Sequence, residues 1–175
     1  MTGTLFQDSG SSAVISADGF YRYRLDRQWD SAVGASVLWV MLNPSTADGA
    51  INDPTMRRVI AFSRGFNFRR LQVVNLYALR SKNTADLYRH EDPVGPENDA
   101  TIALAAQQAD KVICAWGAEA PHPERVREVM AILDANARTK GYQCLGKNSD
   151  GSPCHPLYLK RTTEMQPFWL PAHAR

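Results

Sequence analysis

Three polar side chains near the ends of predicted strands have the chemistry to recognise a planar, hydrogen-bonding ligand. Asn43 directly follows the apolar run Val37–Leu42. Asn75 lies in a second apolar segment, Leu71–Leu79, and His155 follows a short predicted strand near the C-terminus. Amide and imidazole groups can read the edge of a nucleobase through hydrogen bonds. Because ligands of open α/β sheets bind beyond the carboxyl ends of the strands, we expect these side chains to line one pocket there.

Alternating strands and helices are predicted to position these residues. The apolar run before Asn43 has no polar alternation, as is typical of a strand buried on both faces of a parallel sheet. Asp53-Pro54 predicts a helix N-cap followed by a proline at the first helical position. The predicted strands are Val37–Leu42, Leu71–Leu79, Lys111–Ala118 and Gln143–Leu145, and predicted helices begin at Pro54, Asn98 and Pro123. This order favours right-handed crossovers and a mainly parallel sheet.

We therefore predict an α/β three-layer sandwich with a mainly parallel four-stranded central sheet and an added N-terminal β-hairpin. The hairpin is expected within Ala13–Trp29 and turns at Asp18-Gly19. Its second arm alternates, so Arg22 and Arg24 are expected on a solvent-facing side, although arginines between tyrosines could also contact nucleic acid. Residues 80–96 form a long polar loop, and loops of this length are commonly binding loops or lids.

Composition predicts one ordinary globular domain. The chain has 175 residues, of which 44% are hydrophobic and 22% charged, so it can bury a core without crosslinks. We divide it into a flexible N-terminus (1–12), a single α/β domain (13–160) and a C-terminal tail (161–175). The three cysteines lack CxxC spacing, the first residues are polar, and no apolar run approaches ~20 residues. We expect a cytoplasmic protein that does not enter membranes.

Familiar catalytic and metal-binding motifs are absent. The chain lacks GxxxxGK[ST], GxGxxG after a strand, GxSxG and HExxH. Cys144, Cys154 and His155 form a loose group without the fourth ligand that structural zinc requires. We therefore predict neither a metal nor another cofactor. Asp48 and Asp53 leave open a magnesium-assisted phosphohydrolase, although Asp53 is already explained as a helix cap.

Six segments resemble a bacterial family of unknown function. The segments are LWVMLNPSTAD, INDPTMRR, VVNLYALRS, DPVGPEND, AWGA and CHPLYL, in that order. Over residues 19–159 the chain closely resembles the family catalogued as domain of unknown function 1643. That resemblance implies no activity.

A second resemblance, to the uracil-DNA glycosylase superfamily, does imply an activity. That fold has a four-stranded parallel sheet between helices, with a first-strand motif of the form G-[IQE]-[NDA]-P-G. Residues 42–45 (LNPS) match this motif, Asn75 matches a base-reading asparagine, Trp116-Gly117 the end of the third strand, and His155-Pro156 the last motif. Met41 and Ser45 stand where the motif has glycines, which normally allow the backbone to approach the substrate.

The resemblance implies a role for each matched residue. Asn43 would position the attacking water, and His155 would stabilise charge on the departing base. Asn75 would read the edge of the base. We add Asp48 as a candidate general base. The candidate substrate-binding residues are Pro44, Ser45, Asn75, Arg80, Trp116 and Tyr158.

The sequence thus predicts a nucleobase- or nucleotide-binding protein that hydrolyses an N-glycosidic bond. A binding module without turnover, the phosphohydrolase on Asp48 and Asp53, and a domain whose polar motifs are purely structural stay open. The expected partners are a nucleobase, a nucleotide or a modified nucleic acid. A net charge of +2 predicts weak binding to unmodified duplex DNA. The sequence leaves the oligomeric state open.

Overall fold

The computed structural model describes residues 3–7, 10–29, 34–45, 52–118 and 123–170. The strands are β1 Gly3–Gln7, β2 Ser11–Ile15, β3 Arg22–Gln28, β4 Ser36–Met41, β5 Arg70–Asn75, β6 Lys111–Cys114, β7 Tyr142–Cys144 and β8 Gln166–Phe168. The helices are α1 Pro54–Gly65, α2 Asp86–Arg89, α3 Asn98–Gln108 and α4 Pro123–Asn136, with a 3₁₀ helix at Pro156–Tyr158. None of these helices is long and apolar enough to cross a lipid bilayer.

The described strands form one mixed sheet with a parallel middle. Its order is β1-β2-β3-β5-β4-β6-β7-β8. β4 pairs in parallel with β5 and β6, and β6 pairs in parallel with β7. The α/β class is therefore confirmed, but the prediction of a four-stranded sheet is wrong. β3 extends the sheet by pairing antiparallel with β5, and β8 pairs antiparallel with β7. These added strands form hydrogen bonds with backbone groups of β5 and β7 that would otherwise be unpaired at an edge.

Both ends of the chain contribute strands that the sequence did not predict. β2 and β3 pair antiparallel, as the expected hairpin requires, and the turn between them contains Gly19 at φ +77°. Residues 3–7 and 11–12, which we expected to be loose, lie in β1 and β2. Residues 166–168, expected in the tail, form β8.

Helices pack on both faces of the sheet, and β4 lies between them. All six residues of β4 are buried, as expected of a strand covered on both sides. Leu38 and Val40 pack in one cluster with residues of α3 and α4. Val37 and Trp39 point to the opposite cluster, which contains the apolar residues of α1. The three-layer arrangement follows from this alternation.

The beginning of α1 is the one that the sequence predicts. Asp53 is the N-cap, Pro54 occupies the first turn, and the Asp53 carboxylate accepts a hydrogen bond from the Met56 backbone N–H at 2.7 Å. On the buried face, the Trp39 indole N–H donates to Ser63 Oγ at 3.0 Å, and Ser63 Oγ donates to a backbone carbonyl. The polar groups that α1 buries there are therefore paired.

Two of the parallel strands end earlier than predicted. β5 ends at Asn75 and β6 at Cys114, although apolar residues continue beyond both. After β5 the chain stays buried and its backbone stays paired, since Leu76 N–H donates to the carbonyl of Met41 at 2.8 Å. The residues after these strand ends form the edge at which the predicted site residues meet. Part of the predicted long loop is helical, since it contains α2.

Candidate functional site

A cavity of 520 Å³ opens at the carboxyl ends of the parallel strands. It is lined by the end of β4, the end of β5, the first turn of α1 and the segments that follow β6 and β7. Most of the predicted site residues line it: Asn43, Ser45, Asn75, Trp116, His155 and Tyr158. Parallel strands bring their carboxyl ends to one edge, which explains why residues far apart in sequence meet here.

Two predicted site residues, Pro44 and Arg80, lie elsewhere. Neither of them is among the described residues that line the cavity. Pro44 is buried, and its carbonyl accepts a hydrogen bond from the Ser81 backbone N–H at 3.0 Å. Arg80 turns to the hairpin, where Nη1 donates to the carbonyl of Gly19 at 3.0 Å. Asp48 falls outside the described residues, so its predicted role as a base stays a prediction.

The Asn43 amide is held in one orientation by the backbone. Its Nδ2 donates to the carbonyl of Ser81 at 2.9 Å and to that of Pro44 at 3.2 Å. Both amide hydrogens are therefore used within the protein. The group that Asn43 can offer to a ligand in the cavity is its carbonyl oxygen, which is a hydrogen-bond acceptor.

The Asn75 amide is buried in the cavity lining with an unsatisfied donor. Asn75 is the last residue of β5 and only 2% exposed. Its Nδ2 has no hydrogen-bond partner among the described residues. Leaving a buried donor unsatisfied costs ~1–3 kcal/mol. A buried amide of this kind needs an explanation, and a ligand that brings an acceptor supplies one.

Two buried polar residues that sequence reasoning missed hold the backbone at this point. Asn98, the first residue of α3, is fully buried, and its Nδ2 donates to the carbonyls of Asn75 and Leu76 at 3.1 and 3.2 Å. Arg125 of α4 is also buried, and its Nε donates to the Leu76 carbonyl at 2.8 Å. Arg125 also forms an ion pair with Asp99 at 2.5 Å. An arginine on the apolar face of α4 was the available sequence signal.

His155 presents a defined tautomer when it is neutral. Its Nδ1 accepts a hydrogen bond from the Leu157 backbone N–H at 3.3 Å, which caps the 3₁₀ helix. The proton of the neutral ring is then on Nε2, which becomes a donor. Gly117 lies beside it at φ +83°, a conformation that side-chain-bearing residues rarely adopt.

Two aromatic residues line the cavity in different ways. Trp116 is 2% exposed, and its ring packs edge to face on Phe168 with the ring centroids 5.5 Å apart. Tyr158 is 84% exposed, and its ring centroid lies 5.7 Å from that of His155. Trp116 is therefore mainly a core residue with an edge at the cavity, whereas Tyr158 is free to contact a ligand at the entrance.

The loop after Asn43 is tied to the start of α1. Ser45 Oγ donates to Asp53 Oδ2 at 2.5 Å, and the other carboxylate oxygen caps the helix. The described residues contain no group of three or more histidine, cysteine or acidic side chains that could hold a metal ion. The phosphohydrolase alternative, which also needs Asp48, stays a prediction.

Among the described residues that line the cavity, the permanently charged ones are Arg22, Lys82 and Asp53. Arg22 is 4% exposed, so the expectation that it lies on a solvent-facing side of its strand is wrong. It is the first residue of β3, and its backbone N–H donates to the carbonyl of Ala78 at 2.9 Å. The residues after β5 cover this end of β3, a contact between distant segments that the alternation within the strand does not reveal.

A family model described as "Protein of unknown function (DUF1643)" matches residues 22–157, which is well over half of the chain. The chain belongs to this family. The DUF1643 match begins at Arg22 and includes Asn43, Asn75 and His155, so most of the cavity lining lies in the part that defines the family. No curated protein and no solved structure matches the chain significantly.

Proposed function

We propose that the cavity binds a nucleobase or nucleotide and that the protein hydrolyses an N-glycosidic bond. The observation that carries the proposal is the buried, unsatisfied Nδ2 of Asn75 in the cavity lining. A heterocyclic base offers carbonyl and ring-nitrogen acceptors in a plane, and one of them would satisfy this donor. Asn98 and Arg125 hold the backbone carbonyls of Asn75 and Leu76, so the strand end that carries this amide is positioned before a ligand arrives.

The size and lining of the cavity support a ligand of this class. A volume of 520 Å³ is within the range of small-molecule sites. Met41, Leu42 and Trp116 provide apolar contacts, and more than half of the described lining residues are polar or charged, which suits a ligand with several hydrogen-bonding groups. Among the described lining residues, Arg22 and Lys82 are cationic, and they offer positive charge to a ligand that carries a phosphate.

The chemistry of two lining residues supports hydrolysis. The Asn43 carbonyl oxygen can accept a hydrogen bond from a water and so orient it toward the anomeric carbon. As the water oxygen forms its bond to that carbon, the C–N bond breaks and its electron pair goes to the base. The His155 Nε2–H can donate to the base as this charge develops. Asp48 is the candidate acceptor for the proton that the water loses.

The proposal includes the likeness to the uracil-DNA glycosylase superfamily, although the sheet here is mixed and has eight described strands. Parallel strands between helices and polar groups beyond their carboxyl ends support that likeness. Met41 and Ser45 replace the two glycines of the first motif, so the substrate is expected to lie differently against this loop. We also expect the protein to act in the cytoplasm.

The experiment combines binding and turnover. Calorimetry with a panel of free nucleobases and nucleotides is run on the parent protein, Asn75→Ala and His155→Ala, together with assays of base release. Asn75→Ala should weaken binding by ~1–3 kcal/mol, because a base-edge contact already acts in the ground state. His155→Ala should lower turnover about a hundredfold or more and leave affinity nearly unchanged, because its donor acts on charge that develops in the transition state.

The matched control is Asn136→Ala, which removes an amide on α4 that bonds to Ile132 and to Gln107 of α3 and does not line the cavity. It should change neither binding nor turnover. Binding by the parent without any base release, with equal losses of affinity in Asn75→Ala and His155→Ala, would establish the binding module instead. No binding of any base or nucleotide would reject the proposal.

A further inference from the structure

A second concave surface, which we call the α1 groove, is strongly basic. It has a volume of 470 Å³ and lies along the exposed side of α1. No acidic residue is among the described residues that line it, which are Arg57, Arg58, Ile60, Ala61, Phe62, Arg64 and Arg161. Four arginines therefore converge on one groove in a chain whose net charge is only +2.

Within the described part of the chain, no carboxylate neutralises the arginines of the α1 groove. Elsewhere Arg24, Arg125 and Arg138 form ion pairs with carboxylates. No such pair involves the groove arginines among the described residues. Their positive charge is therefore available to a partner, and guanidinium groups are well suited to phosphate.

Neutral contacts hold three of these side chains in place. Arg57 Nη1 donates to the carbonyl of Asn52 at 2.6 Å, and Arg58 Nη2 donates to the carbonyl of Leu159. The guanidinium of Arg64 lies 5.2 Å from the ring centroid of Trp29. Such contacts orient a guanidinium without cancelling its charge.

The α1 groove and the cavity share their structural elements. The first turn of α1 lines the cavity, and its next two turns line the groove. Tyr158 lines the cavity and Arg161, three residues later, lines the groove. The hydrogen bond from Arg58 to the Leu159 carbonyl joins α1 to the segment that runs from Tyr158 to Arg161. A polymer with one unit in the cavity could therefore continue along the groove.

We propose that the α1 groove binds the sugar–phosphate backbone of a single-stranded nucleic acid whose base occupies the cavity. This inference rests on the proposed function and narrows the substrate to a polynucleotide. A single strand fits because a base can enter the cavity only when it is unstacked. The exposed ring of Tyr158 at the shared edge offers a stacking surface for a neighbouring base.

The test measures how affinity depends on salt, by fluorescence anisotropy with a labelled 12-nucleotide single strand of mixed sequence, as DNA and as RNA. Four phosphate contacts predict about a 50-fold loss of affinity between 50 and 200 mM salt. Removal of three contacts should reduce that loss to about threefold. The groove variant is Arg57→Gln, Arg64→Gln and Arg161→Gln together, and it leaves Arg58 in place because Arg58 bonds to Leu159.

The matched control carries the same change in net charge on the other face of the sheet. It combines Arg127→Gln, Arg138→Gln and Lys140→Gln, which lie on α4 and directly after it. The control should keep the salt dependence of the parent. An equal reduction of the slope in both variants would overturn the inference, and so would binding of the single strand no tighter than that of polyglutamate with the same charge.

Calorimetry with a mononucleotide separates the two proposals. The parent and the groove variant should bind it with similar affinity, because the cavity is intact in both. If the groove variant binds the mononucleotide and its oligonucleotide affinity depends on salt as steeply as that of the parent, the groove does not bind the nucleic-acid backbone. The proposed function would be unaffected by that result. If Asn75→Ala leaves mononucleotide affinity unchanged, the proposed function fails, whereas the salt slopes still decide whether the groove binds phosphates.

Discussion

Replacing Asn75 by leucine should stabilise the unliganded protein. Leucine has a similar size and shape but no donor, so it removes a group whose burial without a partner costs ~1–3 kcal/mol. It also adds apolar surface at a position that is 98% buried, since only 2% of the residue is exposed. We expect the free energy of unfolding to rise by ~1 kcal/mol or more, which corresponds to about 2–4 °C in Tm for a chain of this length.

The same substitution at Asn98 is the matched control. Asn98 is equally buried, but its Nδ2 donates to the carbonyls of Asn75 and Leu76. Asn98→Leu removes both bonds and leaves the Asn75 carbonyl without this donor. It should therefore lower the free energy of unfolding by ~1–3 kcal/mol. The two substitutions are chemically identical and should have opposite signs.

Urea unfolding followed by circular dichroism measures both changes as shifts in midpoint at constant slope. A ligand adds a second measurement, because a molecule that binds only the folded state raises the free energy of unfolding by RT ln(1 + [L]/Kd). A nucleotide that stabilises the parent should stabilise Asn75→Leu less, by up to the ~1–3 kcal/mol that the base-edge contact contributes. A loss of more than 1 kcal/mol in Asn75→Leu would show that this amide serves the fold, and the reasoning that links it to a ligand would be refuted.

Two further predictions concern titratable groups away from the cavity. Hydrogen bonds from the backbone and the hydroxyl of Ser36 hold the pKa of Asp110 below its usual value, so the carboxylate contributes stability above about pH 4 that is lost as pH falls through the lowered pKa. Asp110→Asn should lower the free energy of unfolding by ~1 kcal/mol at pH 7. In urea titrations below about pH 4 the variant and the parent should have the same stability. A difference in stability that is constant across pH would contradict this. Burial raises the pKa of the Cys114, Cys144 and Cys154 thiols. In the folded protein a thiol reagent should modify only Cys154, because the other two thiols are buried. This reaction should be slow and should become faster as pH rises. Cys154→Ser should react only after unfolding, and rapid modification of that variant while it is folded would refute the assignment.

The sequence predicted the parts of the fold that local pattern determines. An unbroken apolar run can be stable only where both faces are covered, so β4 could be predicted as a central strand. Asp53-Pro54 predicted the start of α1 because capping depends on adjacent residues. Polar residues at strand ends predicted a shared cavity, since parallel pairing alone brings those ends to one edge.

Contacts between distant segments account for what the sequence did not predict. β1 and β8 have only five and three residues, too few to show a periodic pattern, and they form because an edge of the sheet is available to them. Arg22 looked solvent-facing because strand alternation reports two faces and not what covers each of them. Arg80 looked like a ligand contact because it lies in a long loop, and that loop packs on the hairpin through its bond to Gly19.

The two buried asparagines show why the structure is needed to distinguish a candidate ligand-binding residue from a buried polar residue that stabilises the fold. In the sequence, Asn75 lies in an apolar segment and Asn98 stands between Glu97 and Asp99 at a predicted helix start, and neither context shows whether the amide is paired. In the structure, Asn98 uses its donor on the backbone and so holds the end of β5, whereas the donor of Asn75 in the cavity lining is left unsatisfied. The donor of Asn98 costs little because it is paired, although its Oδ1 has no partner among the described residues. The donor of Asn75 carries a cost that a bound acceptor would remove. This difference in hydrogen bonding is what makes Asn75 the residue on which the proposed function depends.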